Sequence, residues 1–189
     1  TWTQVSIPGL EGQIGAKGLP AMPSWQTLIA VPREAAGLAI EDLTGSDGGT
    51  VSSVRLRQVA VGSTAVLARG DAVARAMSAA LAEATLASAA QLVGVAAAAL
   101  DITLDYLKVR VQFGHPIGSF QSLQHGAADV RIQQALAIAA CAAALTRFET
   151  APGEPATAAA IAAAKARASD AALMAGRFGV QAHGAIGFA

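Results

Sequence analysis

The chain has 189 residues and a mass of 18.8 kDa, which suffices for one domain, or for a small domain joined to a second, and excludes an enzyme of several domains within these residues. Thirteen basic and thirteen acidic residues give a formal net charge of zero, so the chain lacks the basic surplus typical of nucleic-acid binding. Hydrophobic residues make up 53% and aromatic residues only 4%, and alanine, the strongest helix former, is the most frequent residue. This composition predicts a largely helical protein with small core side chains.

Cysteine and histidine usage argues against a disulfide framework and against a metal site. Cys141 is the single cysteine and lies in an alanine-rich run, where a thiol behaves as a small buried apolar group. The three histidines are scattered and give no metal-ligand spacing. No signal peptide opens the chain, and charged or amide residues interrupt the alanine-rich stretches, so we predict a cytoplasmic protein without a membrane span.

Residues 1–70 predict an incomplete β domain. Short strand-like runs occupy residues 27–32, 37–43 and 50–62, and the last of them alternates apolar and polar side chains. The first 25 residues contain so many glycines and prolines that we expect turns and edge pieces there rather than a continuous strand.

Residues 71–189 predict a C-terminal helical bundle domain. Helices are expected over about 71–112, 119–148 and 156–182, and the short connections between them predict antiparallel neighbours. The predicted fold class is therefore mainly α with a small β part.

Local signals mark the helix ends. Asp71 is the expected N-cap of the first helix and Ser119 that of the second, and Pro155 suits the first turn of the third. The sequence FGHPIG at 113–118 predicts the turn that ends the first helix, because glycine allows the chain to reverse and proline cannot continue the helix. The expected apolar stripe of the first helix comprises Leu100, Leu104, Leu107 and Val111.

The segment 105–130 carries the most specific information. Taken singly, Arg110 is an exposed cation near a helix C-terminus and Phe113 is the anchor of a turn. Taken together, the informative positions are Tyr106, Arg110, Gln112, Phe113, Gly114, Pro116, Ile117, Phe120, Gln121, His125, Ala128 and Asp129. This combination closely resembles the signature of the acyl-CoA dehydrogenase family. The stretch 181–188 resembles the same family's Gln-x-x-Gly-Gly-x-Gly-Phe loop, and two linked motifs support the resemblance.

The resemblance covers about residues 27–189 and implies a flavoprotein in which FAD lies across a dimer interface in a dimer of dimers. Arg110 corresponds to the family arginine that reaches the pyrophosphate of the flavin nucleotide, and Phe113 would lie against its adenine. The further cofactor-binding positions that the resemblance implies are Gln112, Gln121, Gln181, His183 and Gly184. His125 is expected to serve packing or a hydrogen bond within its helix.

Two features depart from the family pattern. Ala185 stands where the family usually has a second glycine, and its methyl group is expected to crowd the nucleotide. The family's base is a carboxylate that removes a proton beside the thioester carbonyl. In most members it lies just beyond the glycine loop, where this chain ends, and in others it aligns with Ala84. The neighbouring Glu83 lies about 100° further around the helix and is expected to be a solvated charge, so the catalytic residue stays unknown.

Two functions from different classes follow. The family's N-terminal domain and much of its β domain have no counterpart in this sequence. Either the polypeptide is longer than these 189 residues, or the chain is the reduced subunit of a bacterial heteromer of the kind that acts on sterol side chains. The first hypothesis is a subunit of an FAD-dependent acyl-CoA dehydrogenase of fatty acid or steroid side-chain β-oxidation. This subunit would depend on a second subunit for the catalytic base, and the enzyme would pass electrons to electron-transfer flavoprotein. The second is a structural subunit without flavin contact. The retained flavin motif favours the first.

Overall fold

The computed structural model describes residues 4–6, 26–46 and 48–188. Internal packing divides the chain into two units, Thr1–Met77 and Ser78–Ala189. The described residues form three long helices and several short strands, which confirms the mainly α fold class with a small β part. The turns and edge pieces expected in the first 25 residues lie outside the described residues, apart from strand β1, Gln4–Ser6.

The first unit contains a three-stranded sheet and a two-stranded one. The strands after β1 are β2 (Thr27–Ile29), β3 (Leu38–Thr44), β4 (Thr50–Ala60) and β5 (Val66–Arg69). The larger sheet has the order β1-β4-β3, in which β3 and β4 form an antiparallel hairpin and β1 is parallel to β4. The smaller sheet pairs β2 with β5 in antiparallel orientation. Val59 and Val61 form the buried centre of this unit.

The predicted strands are confirmed in position, but two of them are shorter than predicted. The run predicted at 27–32 is a strand only over Thr27–Ile29, and the run at 50–62 ends at Ala60. Strand β5 was not predicted, because its four residues are too few to show an alternating pattern. Its pairing with β2 is a tertiary contact that a local pattern does not encode.

The helical part consists of α1 (Asp71–Val109), α2 (Gln121–Thr150) and α3 (Pro155–His183), followed by a 3-10 turn over Gly184–Phe188. The three predicted helices are confirmed, and each observed end lies within three residues of the expected one. The composition change near Gly70 falls at the start of α1. The boundary between the two units falls seven residues later, inside that helix.

Two clusters of buried residues hold the three helices together. The first comprises Ala96, Leu100, Val130, Ala137, Ala171 and Ala175, and the second comprises Leu86, Ala144, Ile161 and Ala164. From the second cluster to the first, residue numbers rise along α1 and α3 and fall along α2. Helix α2 is therefore antiparallel to both neighbours, as predicted. Alanine occupies six of these ten positions, so small side chains dominate the core, as the composition predicts.

The start of α1 differs from the prediction. Its first amide groups, those of Val73 and Ala74, donate to the carbonyl of Gly70 at 2.9 and 3.4 Å. Because the N-cap residue is the one whose carbonyl accepts the first helical bonds, Gly70 is the cap and Asp71 is the first helical residue. The negative charge of Asp71 still lies in the first turn, where it interacts favourably with the helix dipole.

The other helix ends give one correction and one confirmation. The N-cap of α2 is Phe120 rather than Ser119, whose hydroxyl donates instead to the carbonyl of Pro116 at 2.7 Å. Pro155 stands in the first turn of α3, as predicted. Within the predicted apolar stripe, Leu100 and Leu107 are buried, whereas Val111 lies beyond the helix and is exposed, because α1 ends two residues earlier.

Helices α1 and α2 each contain a stretch that is long and apolar enough, by length and composition, to cross a membrane, with mean hydropathy of 1.6 and 1.3. Core helices of soluble proteins meet the same test. Only 17% of the stretch in α1 is buried, so much of its apolar surface is uncovered in the isolated chain. The absence of a membrane span stays a prediction.

Candidate acidic-cofactor site at the α1–α2 turn

The turn between α1 and α2 is a minimal hairpin of two short strands, β6 (Val111–Gln112) and β7 (His115–Pro116). Its tip is formed by Phe113 and Gly114, whose φ angles are +55° and +86°. The predicted turn is thus confirmed, and glycine occupies one left-handed position as expected. Phenylalanine rarely adopts this conformation, which carries a steric cost and marks a position of interest. The Phe113 side chain is 86% exposed, so the strained backbone holds an aromatic ring outside the core.

Arg110 follows the last residue of α1, and its main chain is held on both sides. Its amide donates to the Tyr106 carbonyl at 2.9 Å, and its carbonyl accepts from the Ile117 amide at 2.8 Å. The side chain is exposed, and its guanidinium makes no hydrogen bond or ion pair to any residue that the structure describes. The nearby carboxylate of Asp105 is paired with Lys108 at 2.8 Å. A fixed backbone therefore presents a cation without a counter-ion, which suits an external anion.

A small aromatic cluster stiffens the tip. The ring of Phe120 meets that of Phe113 edge-on at 6.0 Å and lies 4.8 Å from the ring of His115. Because the Ser119 hydroxyl donates to the Pro116 carbonyl, its oxygen accepts the hydrogen bond from Nδ1 of His115 at 2.7 Å. These contacts link the tip and strand β7 of the hairpin to the residues directly before α2.

The polar side chains of the same motif differ in their hydrogen bonding. The Gln112 amide group donates to the Val111 carbonyl at 2.8 Å, which leaves its carbonyl oxygen as a possible acceptor. Gln121, the first residue of α2, is exposed and its side chain has no partner in the described part of the chain. His125 is also exposed and has no hydrogen bond to a described residue, so the helix hydrogen bond considered for it is not formed there, and its packing role stays a prediction.

The second motif lies where α3 ends. Gly184 has a φ of +65° and stops the helix, and the 3-10 turn that follows runs to Phe188. A Cβ atom at Gly187 would lie 2.8 Å from the Val180 carbonyl oxygen, so only glycine allows the turn to fold back on the helix. Gln181 and Ala185 are both exposed. The methyl group of Ala185 is thus on the surface, and its expected crowding of a nucleotide stays a prediction.

The structure brings the two motifs to the same end of the bundle. The rings of Tyr106 and His183 stack with centroids 4.2 Å apart and planes inclined by 21°. One turn earlier, a Cβ atom at Gly179 would lie 3.1 Å from the Thr103 hydroxyl, so α1 and α3 approach closely here as well. Sequence reasoning did not assign Thr103 or Gly179 any role. The signal that could have found them is their spacing from the motif residues, three before Tyr106 and four before His183.

No carboxylate between residues 71 and 188 is buried. The eight acidic residues of this range are Asp71, Glu83, Asp101, Asp105, Asp129, Glu149, Glu154 and Asp170, and each is exposed. A catalytic base usually acquires its proton affinity by burial or by a neighbouring charge. The exposure of Glu83 agrees with the solvated charge expected for it.

Other candidate groups give no site. Within the described ranges, no three His, Cys, Asp or Glu side chains are grouped so that they could hold a metal ion. Cys141 is half-buried and lies beside the second core cluster, as expected of a small apolar group, and desolvation raises the pKa of its thiol. A raised pKa disfavours the thiolate, which is the nucleophilic form of cysteine.

Gly118 is the tightest packing point of the turn, and alanine there should destabilise the fold. A Cβ atom would lie 2.9 Å from the Leu107 carbonyl oxygen, which belongs to backbone and cannot move away easily. We expect Gly118→Ala to lower the free energy of unfolding by about 1–3 kcal/mol, measured by urea denaturation. Gly94→Ala is the matched control, because Gly94 lies inside α1 facing open space, and it should stabilise by about 0.5–1 kcal/mol. Equal stability of the two variants would contradict this packing.

Comparison with known proteins places this geometry in a family. Residues 71–189 match the family model of the acyl-CoA dehydrogenase C-terminal domain. Acyl-CoA dehydrogenase IpdE2 of Mycobacterium tuberculosis is 42% identical over 98 residues, which are 52% of this chain and 28% of that protein.

Solved structures give the same result over a longer stretch. The ChsE4-ChsE5 complex from Mycobacterium tuberculosis contains a chain with a TM-score of 0.74 and 26% identity, covering 86% of this chain and 43% of that one. A variant of the Tcur3481-Tcur3483 steroid ACAD gives a TM-score of 0.71 and 32% identity, covering 85% of this chain and 42% of that one. The chain thus spans less than half the length of these relatives. Because the family model matches well over half of the chain, the protein belongs to the acyl-CoA dehydrogenase family.

Proposed function

We propose that the chain is a subunit of an FAD-dependent acyl-CoA dehydrogenase, an oxidoreductase that introduces the α,β double bond of an acyl-CoA thioester. The observation that carries the proposal is the α1–α2 turn. There, Arg110 has no counter-ion among the described residues, and Phe113 is held outside the core at a positive φ. A protein that used this turn only to reverse the chain would gain nothing from an exposed, strained aromatic residue.

The exposed groups of the turn fit a flavin nucleotide. The planar guanidinium of Arg110 can donate two parallel hydrogen bonds to a pyrophosphate, and no described carboxylate competes for it. The ring of Phe113 offers a free face for an adenine. Gln121 offers both a donor and an acceptor, and Gln112 offers its free acceptor. FAD would supply the hydride acceptor of the reaction.

A second subunit is supported by an uncovered apolar stripe on α1. Leu81, Val95, Ile102 and Val109 are 50%, 51%, 64% and 75% exposed, and they lie at multiples of seven residues from one another. Apolar positions with this repeat form a seam for another helix. The stripe therefore fits a helix of another subunit. In our proposal this is a second acyl-CoA dehydrogenase-like subunit, in a heterotetramer built as a dimer of dimers. The ChsE4-ChsE5 relative is likewise a complex of two different chains.

Substrate and redox partner are proposed at the level of chemical class. The substrate would be an acyl-CoA, and the description of one relative as a steroid ACAD favours an acyl group on a steroid side chain. The electron acceptor would be electron-transfer flavoprotein. An alternative is a structural partner subunit without flavin contact. The exposure of every carboxylate between residues 71 and 188 fits both functions, because in neither does this chain supply the catalytic base.

The visible absorption spectrum and the subunit composition of the natively purified protein distinguish these functions. We expect a yellow complex that contains this chain and a second chain. In that complex, Phe113→Ala should weaken FAD binding by about two- to tenfold, since one aromatic contact is lost. Leu173→Ala is the control, because Leu173 is an exposed apolar side chain on α3, outside the turn, and should leave FAD binding unchanged. A colourless assembly would support the structural alternative instead.

A further inference from the structure

The Tyr106–His183 stack joins α1, which leads into the turn around Arg110, to α3, which leads into the glycine turn at 184–188. It is backed one turn earlier by the approach of Gly179 to Thr103, a residue that is only 1% exposed. The Thr103 hydroxyl donates to the Ala99 carbonyl at 2.7 Å, so its oxygen sits in a fixed place against Gly179. At this end of the bundle, α1 and α3 therefore contact each other on two consecutive helical turns.

The ring of His183 is fixed by its own helix as well as by the stack. Its Nδ1 lies 2.8 Å from the Gly179 carbonyl oxygen, and since a carbonyl can only accept, Nδ1 carries the proton. The hydrogen bond fixes the orientation of the ring, and the stack then uses one face of it. Because the His183 ring is held by both a hydrogen bond and a stack, it is suited to keeping α1 and α3 at a fixed distance.

Both motif segments begin directly beyond this contact. Arg110 lies one helical turn after Tyr106, and its amide is hydrogen-bonded to the Tyr106 carbonyl. Gly184, which starts the terminal turn, follows His183 immediately. The backbone of Tyr106 is thus one hydrogen bond away from Arg110, and the backbone of His183 is one peptide unit away from Gly184.

We propose that Tyr106 and His183 are a pair of positioning residues that set the spacing between the Arg110 turn and the terminal glycine turn. In this assignment His183 acts through Tyr106 and does not need to touch the cofactor itself. The inference rests on the proposed function, because it takes FAD to be the ligand that both segments contact.

The test uses the purified native complex with variants of this chain. Tyr106→Leu, His183→Leu and the double variant remove the stack. Tyr106→Phe retains the stack and loses only the hydroxyl group, and His183→Phe retains the ring but loses the donor to Gly179. His125→Leu is the control, because it removes an exposed histidine of the same motif. Two quantities are measured: the dissociation constant for FAD, and the amide hydrogen exchange of residues 184–188 without added FAD.

We expect each Leu variant to bind FAD about three- to tenfold more weakly, and the double variant to be no weaker than the single ones, because one shared contact is lost. Exchange at 184–188 should accelerate in the same variants. Tyr106→Phe should bind FAD as the wild type does, and His183→Phe should be intermediate. Wild-type FAD affinity in both Leu variants, or additive losses in the double variant, would overturn the proposal. If the wild-type complex binds no FAD, the proposed function fails, and unchanged exchange at 184–188 would then also overturn the positioning role.

Discussion

The isolated 189-residue chain, supplied with FAD, an acyl-CoA and an artificial electron acceptor, should not catalyse dehydrogenation at a measurable rate. Removal of the proton beside the thioester carbonyl needs a general base, which contributes about 10²–10⁴-fold to such a rate. Every carboxylate between residues 71 and 188 is exposed to water. Lys165 is no substitute, because its amino group is engaged in donating to the Ser169 hydroxyl at 2.9 Å. We therefore expect a partner to supply the base.

Adding the partner subunit should restore turnover. Replacing one Asp or Glu of that subunit by its amide should abolish the restored turnover. Glu83→Gln in this chain is the matched control and should leave most of the activity, because Glu83 is a solvated side chain. The measurement is kcat for the reconstituted complex with each variant. Robust turnover by the isolated chain would contradict the partner-dependent reaction and place the base among the residues of this chain.

Arg110→Ala should weaken FAD binding by the assembled complex by about tenfold to a hundredfold. A hydrogen bond to a charged group contributes about 1.5–3 kcal/mol, and the Arg110 guanidinium has no partner among the described residues that would reduce this contribution. The far-ultraviolet circular dichroism should stay unchanged, because the guanidinium is exposed and the backbone bonds of Arg110 do not depend on it. Flavin retained after dialysis measures the effect.

Two variants separate the geometry of Arg110 from its charge. Arg110→Lys keeps the positive charge but loses the planar fork, so we expect FAD affinity between those of the wild type and the alanine variant. Arg167→Ala removes an exposed arginine in α3 and should leave flavin retention unchanged. Undiminished retention in Arg110→Ala would show that Arg110 is only a surface cation at a helix end.

The sequence by itself determined the fold class, the three helices and the family. Long proline-free stretches rich in alanine strongly favour helices, and the FGHPIG turn and Pro155 mark the breaks between them. The motif around Arg110 and the glycine turn identified the family, because several uncommon residues recur there at set spacings. These features are local in the sequence, so they can be recognised without knowing how the helices pack.

The tertiary structure alone decided which faces are buried and which motif residues meet. Alanine occupies all sides of these helices, so the pattern does not distinguish the buried Ala96 from the partly exposed Ala97 beside it. Strand β5 depends on its pairing with β2, and the Gly70 amide donates to the Gln26 carbonyl at 2.8 Å, so both positions involve contacts with another segment that a local signal does not encode. The Tyr106–His183 stack joins residues 77 positions apart along the chain. Such a contact exists only because helix packing brings the ends of α1 and α3 together.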